Sequence, residues 1–163
     1  MPSRSYRIGR SLTGLGLFAT KPIKRGAYIA AYRGRRISTE EAARREARGA
    51  RYMFELNKSL VIDGSPRWNV ARYINHSCRP NAKPVVRKGG IAIVALRQIE
   101  RDEEITYDYG SDYLKSFLAD GGCRCAACRK KESGPGQAGS WVKQTLRRWA
   151  SMSAFKTSCA RLK

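Results

Sequence analysis

Acidic residues are scarce in this 163-residue chain: 13 Asp plus Glu stand against 33 Lys plus Arg, for a formal net charge of +20. No acid precedes Glu40, and there is a single histidine, His76. The surplus of positive charge makes the field as a whole attractive to anions. No apolar stretch approaches the roughly 20 residues of a membrane span, so a soluble protein without a membrane span is expected. An apolar core of a secretory signal is also missing, which argues for an intracellular protein. Arg4, Arg7 and Arg10 give the start a superficial likeness to a mitochondrial transit peptide, but the glycine-rich segment that follows them has a better use. Internal repeats are absent. The apolar content of 42% suits one folded domain with a real core.

Charge is unevenly spread. Residues 123–163 hold ten basic residues and one acidic. Six acids, Glu100, Asp102, Glu103, Glu104, Asp108 and Asp112, fall within thirteen positions that contain one base, Arg101. That cluster is expected to favour a cation locally, although a solvated basic surface around an acidic loop is the plainer reading.

Turn residues at Gly14, Gly16, Lys21-Pro22 and Arg25-Gly26 break the first third into short apolar runs, and Ala27–Tyr32 reads as a strand. Residues 52–56, 60–63, 83–87 and 91–96 read the same way. One early helix is predicted over about 40–48, capped by Thr39, with acids in its first turn and Arg44, Arg45 and Arg48 toward its end. The Ser/Gly-rich run 133–140 predicts a flexible loop. An amphipathic basic helix over about 141–150 is expected to dock through Trp141 and Trp149 or, alternatively, to touch nucleic acid.

Two runs carry unusual chemistry. Asn75-His76-Ser77-Cys78 sets four polar or metal-binding side chains in a row, which a core tolerates only if each finds a partner. Tyr107 and Tyr109 flank Asp108 at strand spacing, so both phenols face one side. Further on, Cys123, Cys125 and Cys128 form a Cys-x-Cys-x2-Cys cluster that suits zinc, with one of four ligands missing locally. Cys78 supplies it if the fold brings the segments together; free or redox-active thiols are the alternative. Cys159 is left over. Gly14-Leu15-Gly16 lacks the third glycine of a dinucleotide fingerprint and by itself reads as an ordinary turn.

Taken in order, Gly14-Leu15-Gly16-Leu17, Tyr32-Arg33-Gly34, Asn69 to Asn81 with Arg72 and Asn75-His76-Ser77-Cys78 at its centre, Glu103 to Tyr109, and the cysteine cluster resemble the SET-domain protein lysine methyltransferases. The resemblance covers roughly residues 5–130. It implies a mainly β fold of small sheets with short helices, a C-terminal pseudoknot and a post-SET zinc site. The implied divisions are a SET domain over 5–112, a post-SET segment over 113–132 and a basic tail over 133–163. Residue by residue, it implies that Leu15, Gly16, Leu17, Tyr52, Arg72, Asn75, His76 and Tyr109 bind S-adenosylmethionine. It makes Tyr109 the catalytic tyrosine and Tyr107 its neighbour at a position the family fills with Phe or Tyr. Zinc falls to Cys78, Cys123, Cys125 and Cys128. The family's usual post-SET spacing, Cys-x-Cys-x4-Cys, is two residues longer than here, and no cysteine-rich pre-SET region precedes the domain.

The implied reaction moves a methyl group from the sulfonium to a lysine of a basic protein, histone or histone-like. A tyrosine at 107 implies mainly monomethylation. A basic peptide would meet the acidic stretch 100–112, while the basic tail would hold nucleic acid or a nucleoprotein. A nuclear, chromatin-associated location follows for a eukaryote and a cytoplasmic one for a bacterium. The competing readings are a non-enzymatic zinc-containing module that binds nucleic acid, and a methyltransferase of a non-histone protein.

Overall fold

Among the described residues, three small sheets rather than one layer organise the fold. In a computed structural model describing residues 4–87, 89–111, 113–114 and 123–132, the first strand, β1 (Tyr6–Ser11), turns back through Leu12-Thr13 into β2 (Gly14–Ala19). Gly14 has φ +117°, a conformation that a side chain disfavours, which suits the tight hairpin. The segment expected to be a turn at Gly14–Gly16 is therefore a strand paired along its whole length with β1. Gly16, where a Cβ would lie 2.9 Å from that of Ser11, serves close packing within the sheet.

The second sheet has the order β3 (Tyr28–Tyr32), β9 (Gly90–Ala95), β8 (Ala82–Arg87), all antiparallel. The third has the order β4 (Arg35–Ser38), β6 (Leu60–Asp63), β5 (Met53–Asn57). At the corner between β3 and β4, a Cβ on Gly34 would overlap the Asp63 carbonyl, so only glycine lets the two sheets meet there. Helix α1 (Thr39–Ala47) follows β4 directly. Its cap is Ser38, not Thr39: the Ser38 hydroxyl accepts the Glu41 N–H at 3.3 Å. The reason is that β4 stays extended through Ser38, paired with Leu60, so the helix starts one residue earlier than the sequence pattern indicates. Glu41 bonds Arg45 at 2.8 Å one turn on, and Arg45 reaches Asp63 at 2.6 Å.

The first sheet is completed by segments distant in sequence. After a 3-10 turn at Val70–Tyr73, the two-residue strand β7 (Asn75–His76) runs parallel to β10 (Glu104–Tyr107), which also pairs antiparallel with β2. The intervening chain makes the β8–β9 hairpin, since a parallel pair needs a long crossover. Two polar runs some thirty residues apart thus lie side by side, the juxtaposition expected of the pseudoknot. Leu17, Ile93, Ile99 and Ile105 are fully buried beneath this crossing, with Ile74 1% exposed. Helix α2 (Ala126–Glu132) begins inside the cysteine cluster. Met1–Cys128 form one compact unit and Arg129–Lys163 a second; the expected loop 133–140, the helix over 141–150, the basic tail and Cys159 lie outside the described residues. The mainly β character with short helices agrees with expectation. Among the described residues, no helix is long and apolar enough to cross a membrane.

Candidate active site and cysteine cluster

Every member of the Asn75–Cys78 run finds a partner. The Asn75 amide donates to the Leu15 carbonyl at 3.0 Å and to the Glu104 carboxylate at 2.8 Å. Gly16 makes room for that carboxylate: a Cβ there would lie 2.5 Å from Glu104 Oε1. The Ser77 N–H donates to the Tyr107 carbonyl at 3.1 Å, and the Ser77 hydroxyl accepts the Arg79 N–H. His76 Nδ1 accepts the Tyr109 N–H at 3.2 Å, which leaves Nε2 to carry the proton toward the Cys78 sulfur, 3.3 Å away. Burial lowers the His76 pKa from its ordinary value and outweighs the opposing pull of Asp108.

Asn81 braces the crossing from below. Almost fully buried, it donates to Glu103 Oε1 at 3.0 Å and the Glu104 carbonyl at 2.8 Å, and accepts the Thr106 N–H at 2.8 Å. The sequence motif includes Asn81 without revealing this role; a buried amide satisfied on both ends is a scaffold element.

Tyr107 and Tyr109 do face one side, with ring centroids 4.9 Å apart. They line a cavity of about 620 Å³ together with Tyr32, Tyr52, Phe54 and Tyr113. Tyr109 donates its hydroxyl to the Ile74 carbonyl at 2.6 Å and meets Tyr113 edge-on at 5.0 Å. Burial, followed by the neighbouring Tyr113, raises the Tyr109 pKa above its ordinary value, and burial does the same to Tyr107. Both phenols are therefore neutral at pH 7, hydrogen-bonding groups rather than bases. Tyr113, Phe54 and Tyr32 were not among the expected site residues. Tyr113 follows Gly110 in a stretch with no periodicity, so its only signal is being a further aromatic close to Tyr109.

Tyr52 and Arg72 adjoin each other: the guanidinium lies 4.0 Å from the Tyr52 ring centroid. Arg72 also donates to the Ser65 carbonyl, while its buried Nε has no hydrogen-bond partner. Of the segment Leu15–Leu17, Leu15 is exposed and Leu17 is fully buried, so the first faces outward and the second belongs to the core.

The acidic stretch is not the free cluster that composition suggests. Asp102 pairs with Arg7 at 3.0 Å, Glu103 with Arg97 at 2.5 Å, and Glu104 holds Asn75. The acids that line the aromatic cavity are Glu46, Glu55 and Asp108, and only the last comes from that stretch. Two come from α1 and β5, which no local charge count could bring together.

The four cysteines converge. The Cys78 sulfur lies 3.7 Å from that of Cys123 and 3.5 Å from that of Cys128, and the Cys78 N–H points at the Cys125 sulfur at 3.5 Å. Sulfurs bound to one tetrahedral zinc at about 2.3 Å stand about 3.8 Å apart, so these separations are compatible with such a site. The ligand atoms of His76, Cys78, Cys123 and Cys125 also lie within 4.8 Å of one another. Burial opposes ionisation of Cys125, but backbone N–H groups of Cys78 and Cys128 and neighbouring thiols outweigh it, bringing its pKa down to about 6. A ready thiolate is what a soft metal needs. The shortened spacing between Cys125 and Cys128 is absorbed by the start of α2, where the Cys128 N–H reaches the Cys125 carbonyl at 3.1 Å.

Residues 14–110 match the SET domain. The chain belongs to the SET-domain family. Among curated relatives, the chain is 38% identical over 139 residues to an H3 lysine-4-specific histone-lysine N-methyltransferase of Emericella nidulans, matching 74% of this chain and 11% of that protein. It is 39% identical over 137 residues to histone-lysine N-methyltransferase 2D of Homo sapiens, matching 77% of this chain and 2% of that one. The chain thus spans a small fraction of the length of the relatives it matches. Among solved structures, the polycomb repressive complex 2 of Chaetomium thermophilum superposes with TM-score 0.62 at 30% identity, over 68% of this chain and 16% of the other. Another such complex, bound to S-adenosylmethionine, gives 0.60 at 27% identity over 72% and 17%.

Proposed function

We propose that this SET domain transfers a methyl group from S-adenosylmethionine to the ε-amine of a lysine in a basic, histone or histone-like protein, and that the product is mainly monomethyl-lysine. The observation that carries the reading is the cavity walled by neutral phenols beside the Asn75–His76 run, within a chain whose relatives are named as histone-lysine methyltransferases.

The residues present fit the cofactor. Arg72 Nε, buried without a partner, is an unsatisfied donor that an acceptor on a bound ligand would complete. Arg72, Tyr52, Asn75, His76, Tyr109 and the backbone of Leu15–Leu17 would hold the group, which when bound supplies an electrophilic methyl on sulfur. The chain itself aligns the acceptor. Lysine is mostly protonated at neutral pH, and entry into an aromatic cavity disfavours the ammonium by desolvation. Glu46, Glu55 and Asp108 on the cavity wall would attract the incoming cation before that proton is lost. Once neutral, the amine is positioned by the wall, and rate follows from alignment more than from proton abstraction. The Tyr109 hydroxyl, held against the Ile74 carbonyl, fixes its ring beside that of Tyr107.

Tyr107 governs how many methyl groups fit. Its side chain is 7% exposed and packed between Phe54 and Tyr109. A phenol there fills space that added methyl groups need. Incubation of the purified chain with labelled S-adenosylmethionine and core histones, read by mass spectrometry, should give mainly monomethyl product. Tyr107→Phe should raise the dimethyl and trimethyl fractions. Trimethylation by the parent chain would sink the product assignment, and no cofactor binding by calorimetry would sink the reaction.

Zinc at Cys78, Cys123, Cys125 and Cys128 would tie the segment after the SET domain to the Asn75–Cys78 run. His76 then acts beside the metal, its Nε2–H toward the Cys78 sulfur, rather than as a ligand. A histone-like substrate places the protein at chromatin in a eukaryotic cell, and the basic tail over 133–163 would add a nucleic-acid contact.

A further inference from the structure

A second cavity, of about 480 Å³, opens between the sheet containing β3, β9 and β8 and the sheet containing β4, β6 and β5. Its polar wall is made by Arg33, Arg36 and Arg87, and Trp68 stands at its edge with 64% of its surface exposed. Among the described residues, no carboxylate lines it. Arg33, Arg36 and Arg87 have no carboxylate partner among the described residues. Three guanidinium groups around one cleft repel each other unless an anion joins them.

The arrangement is held in place. Arg36 crosses from one sheet to the other, donating to the Gly89 carbonyl at 2.6 Å in the β8–β9 turn. Asn69, 1% exposed, accepts the Arg33 N–H at 3.0 Å and donates to the Gly64 carbonyl at 3.1 Å. Because Asn69 follows Trp68 directly, this buried amide ties the chain at Trp68 to the backbone of Arg33.

We propose that this cleft binds single-stranded nucleic acid, with a base stacked on Trp68 and the flanking phosphates on Arg33, Arg36 and Arg87. A flat aromatic face beside a row of guanidinium groups is what sequence-tolerant single-strand binding uses. The cavity is concave and admits an unstacked base, which a duplex does not present. Arginine suits phosphate through its forked donors. This surface is distinct from the basic tail and independent of the methyl-transfer reading.

The test is fluorescence anisotropy with the full chain and a short labelled single strand of mixed sequence, across a salt series. Trp68→Ala should weaken binding by about fivefold or more, while Trp68→Phe retains most of it. Arg33→Ala and Arg87→Ala should each weaken binding and lower the slope of log affinity against log salt by about 0.7. Duplex DNA and polyglutamate should bind less tightly and should be indifferent to Trp68→Ala. Unchanged affinity in both Trp68→Ala and Arg87→Glu would overturn the proposal and assign any binding to the tail. Equal affinity for duplex or polyglutamate would overturn it in favour of a plain anion surface. Melting temperature and methyl transfer, followed for each variant, separate loss of binding from loss of fold.

Discussion

The crossing of β7 with β10 and the cysteine segment that follows it are held by different physics. At the crossing, nearly every polar group is satisfied by the protein itself: Asn75 by Leu15 and Glu104, Asn81 by Glu103, Glu104 and Thr106, Ser77 by Tyr107 and Arg79. The segment at 123–128 meets the run at 75–78 through sulfur, with contacts of 3.5 to 3.7 Å centred on Cys78. The first region is a closed network that keeps its shape unaided. The second converges on one point where four thiols crowd together, an arrangement that a shared metal stabilises and that protonated thiols do not. With zinc at the four cysteines, as proposed, the first region would be a rigid floor and the second a part whose cohesion depends on the metal.

The sharpest way to break that contrast is to test the proposed zinc. Chelation, or Cys125→Ser, should abolish methyl transfer and release one zinc, measured by elemental analysis, since structural zinc contributes on the order of 10 kcal/mol to local folding. The amide-exchange protection of Ile105 and Leu17 should survive. Loss of protection there would show that the two regions fold as one.

Tyr109→Phe tests the site beside that junction, because it removes the hydroxyl that donates to the Ile74 carbonyl and leaves the Tyr109 N–H on His76, which touches Cys78. Its loss should cut turnover on the order of a hundredfold, by analogy with removal of one positioned donor, while leaving zinc content unchanged. Asn81→Ala should destabilise the floor by about 1–3 kcal/mol in urea unfolding, because the Thr106 N–H loses its acceptor and the bonds of a buried amide are lost. The cysteine cluster should still bind zinc in that variant.

The smallest effect concerns pH. Burial would raise the Glu103 pKa, but hydrogen bonds from Arg97, the Glu100 N–H and Asn81 overcome it, so the value falls below the ordinary 4.5. A carboxylate depressed on folding contributes stability that is present above 4.5 and lost as pH falls through the lower folded value. The melting temperature of the parent should therefore drop more between pH 5 and pH 3 than that of Glu103→Gln.

Much of the site was readable as a string. Asn75-His76-Ser77-Cys78 stood out because four adjacent polar side chains demand partners, and the partners exist. Tyr107 and Tyr109 share a face as a strand repeat of two predicts, although β10 ends at Tyr107 and Tyr109 lies just beyond it. Strand 60–63 ended where predicted, bounded by Asn57 and Gly64. Other features escaped for reasons that are not local. Ser38 caps α1 because β4 pairs with Leu60, a contact made across more than twenty residues. Gly14–Gly16 is a strand because β1 lies beside it and Glu104 needs the space above Gly16. The acids at 102–104 look like a free cluster because Arg7 and Asn75 lie on other strands far along the chain, and Arg97 meets Glu103 only where the chain turns back after β9.

The sequence by itself determined the chemistry available to this protein: which side chains ionise, which sulfurs can take a metal, and which runs cannot be buried unpaired. Those properties belong to residues and their spacing. Tertiary structure alone decided which of these groups meet. It placed Cys78 against Cys123, Cys125 and Cys128, brought Glu46, Glu55 and Asp108 to one aromatic cavity, and set Arg33, Arg36 and Arg87 around Trp68. Electrostatic and hydrogen-bond energies depend on distance through space, and a chain that crosses itself makes that distance independent of separation along the sequence.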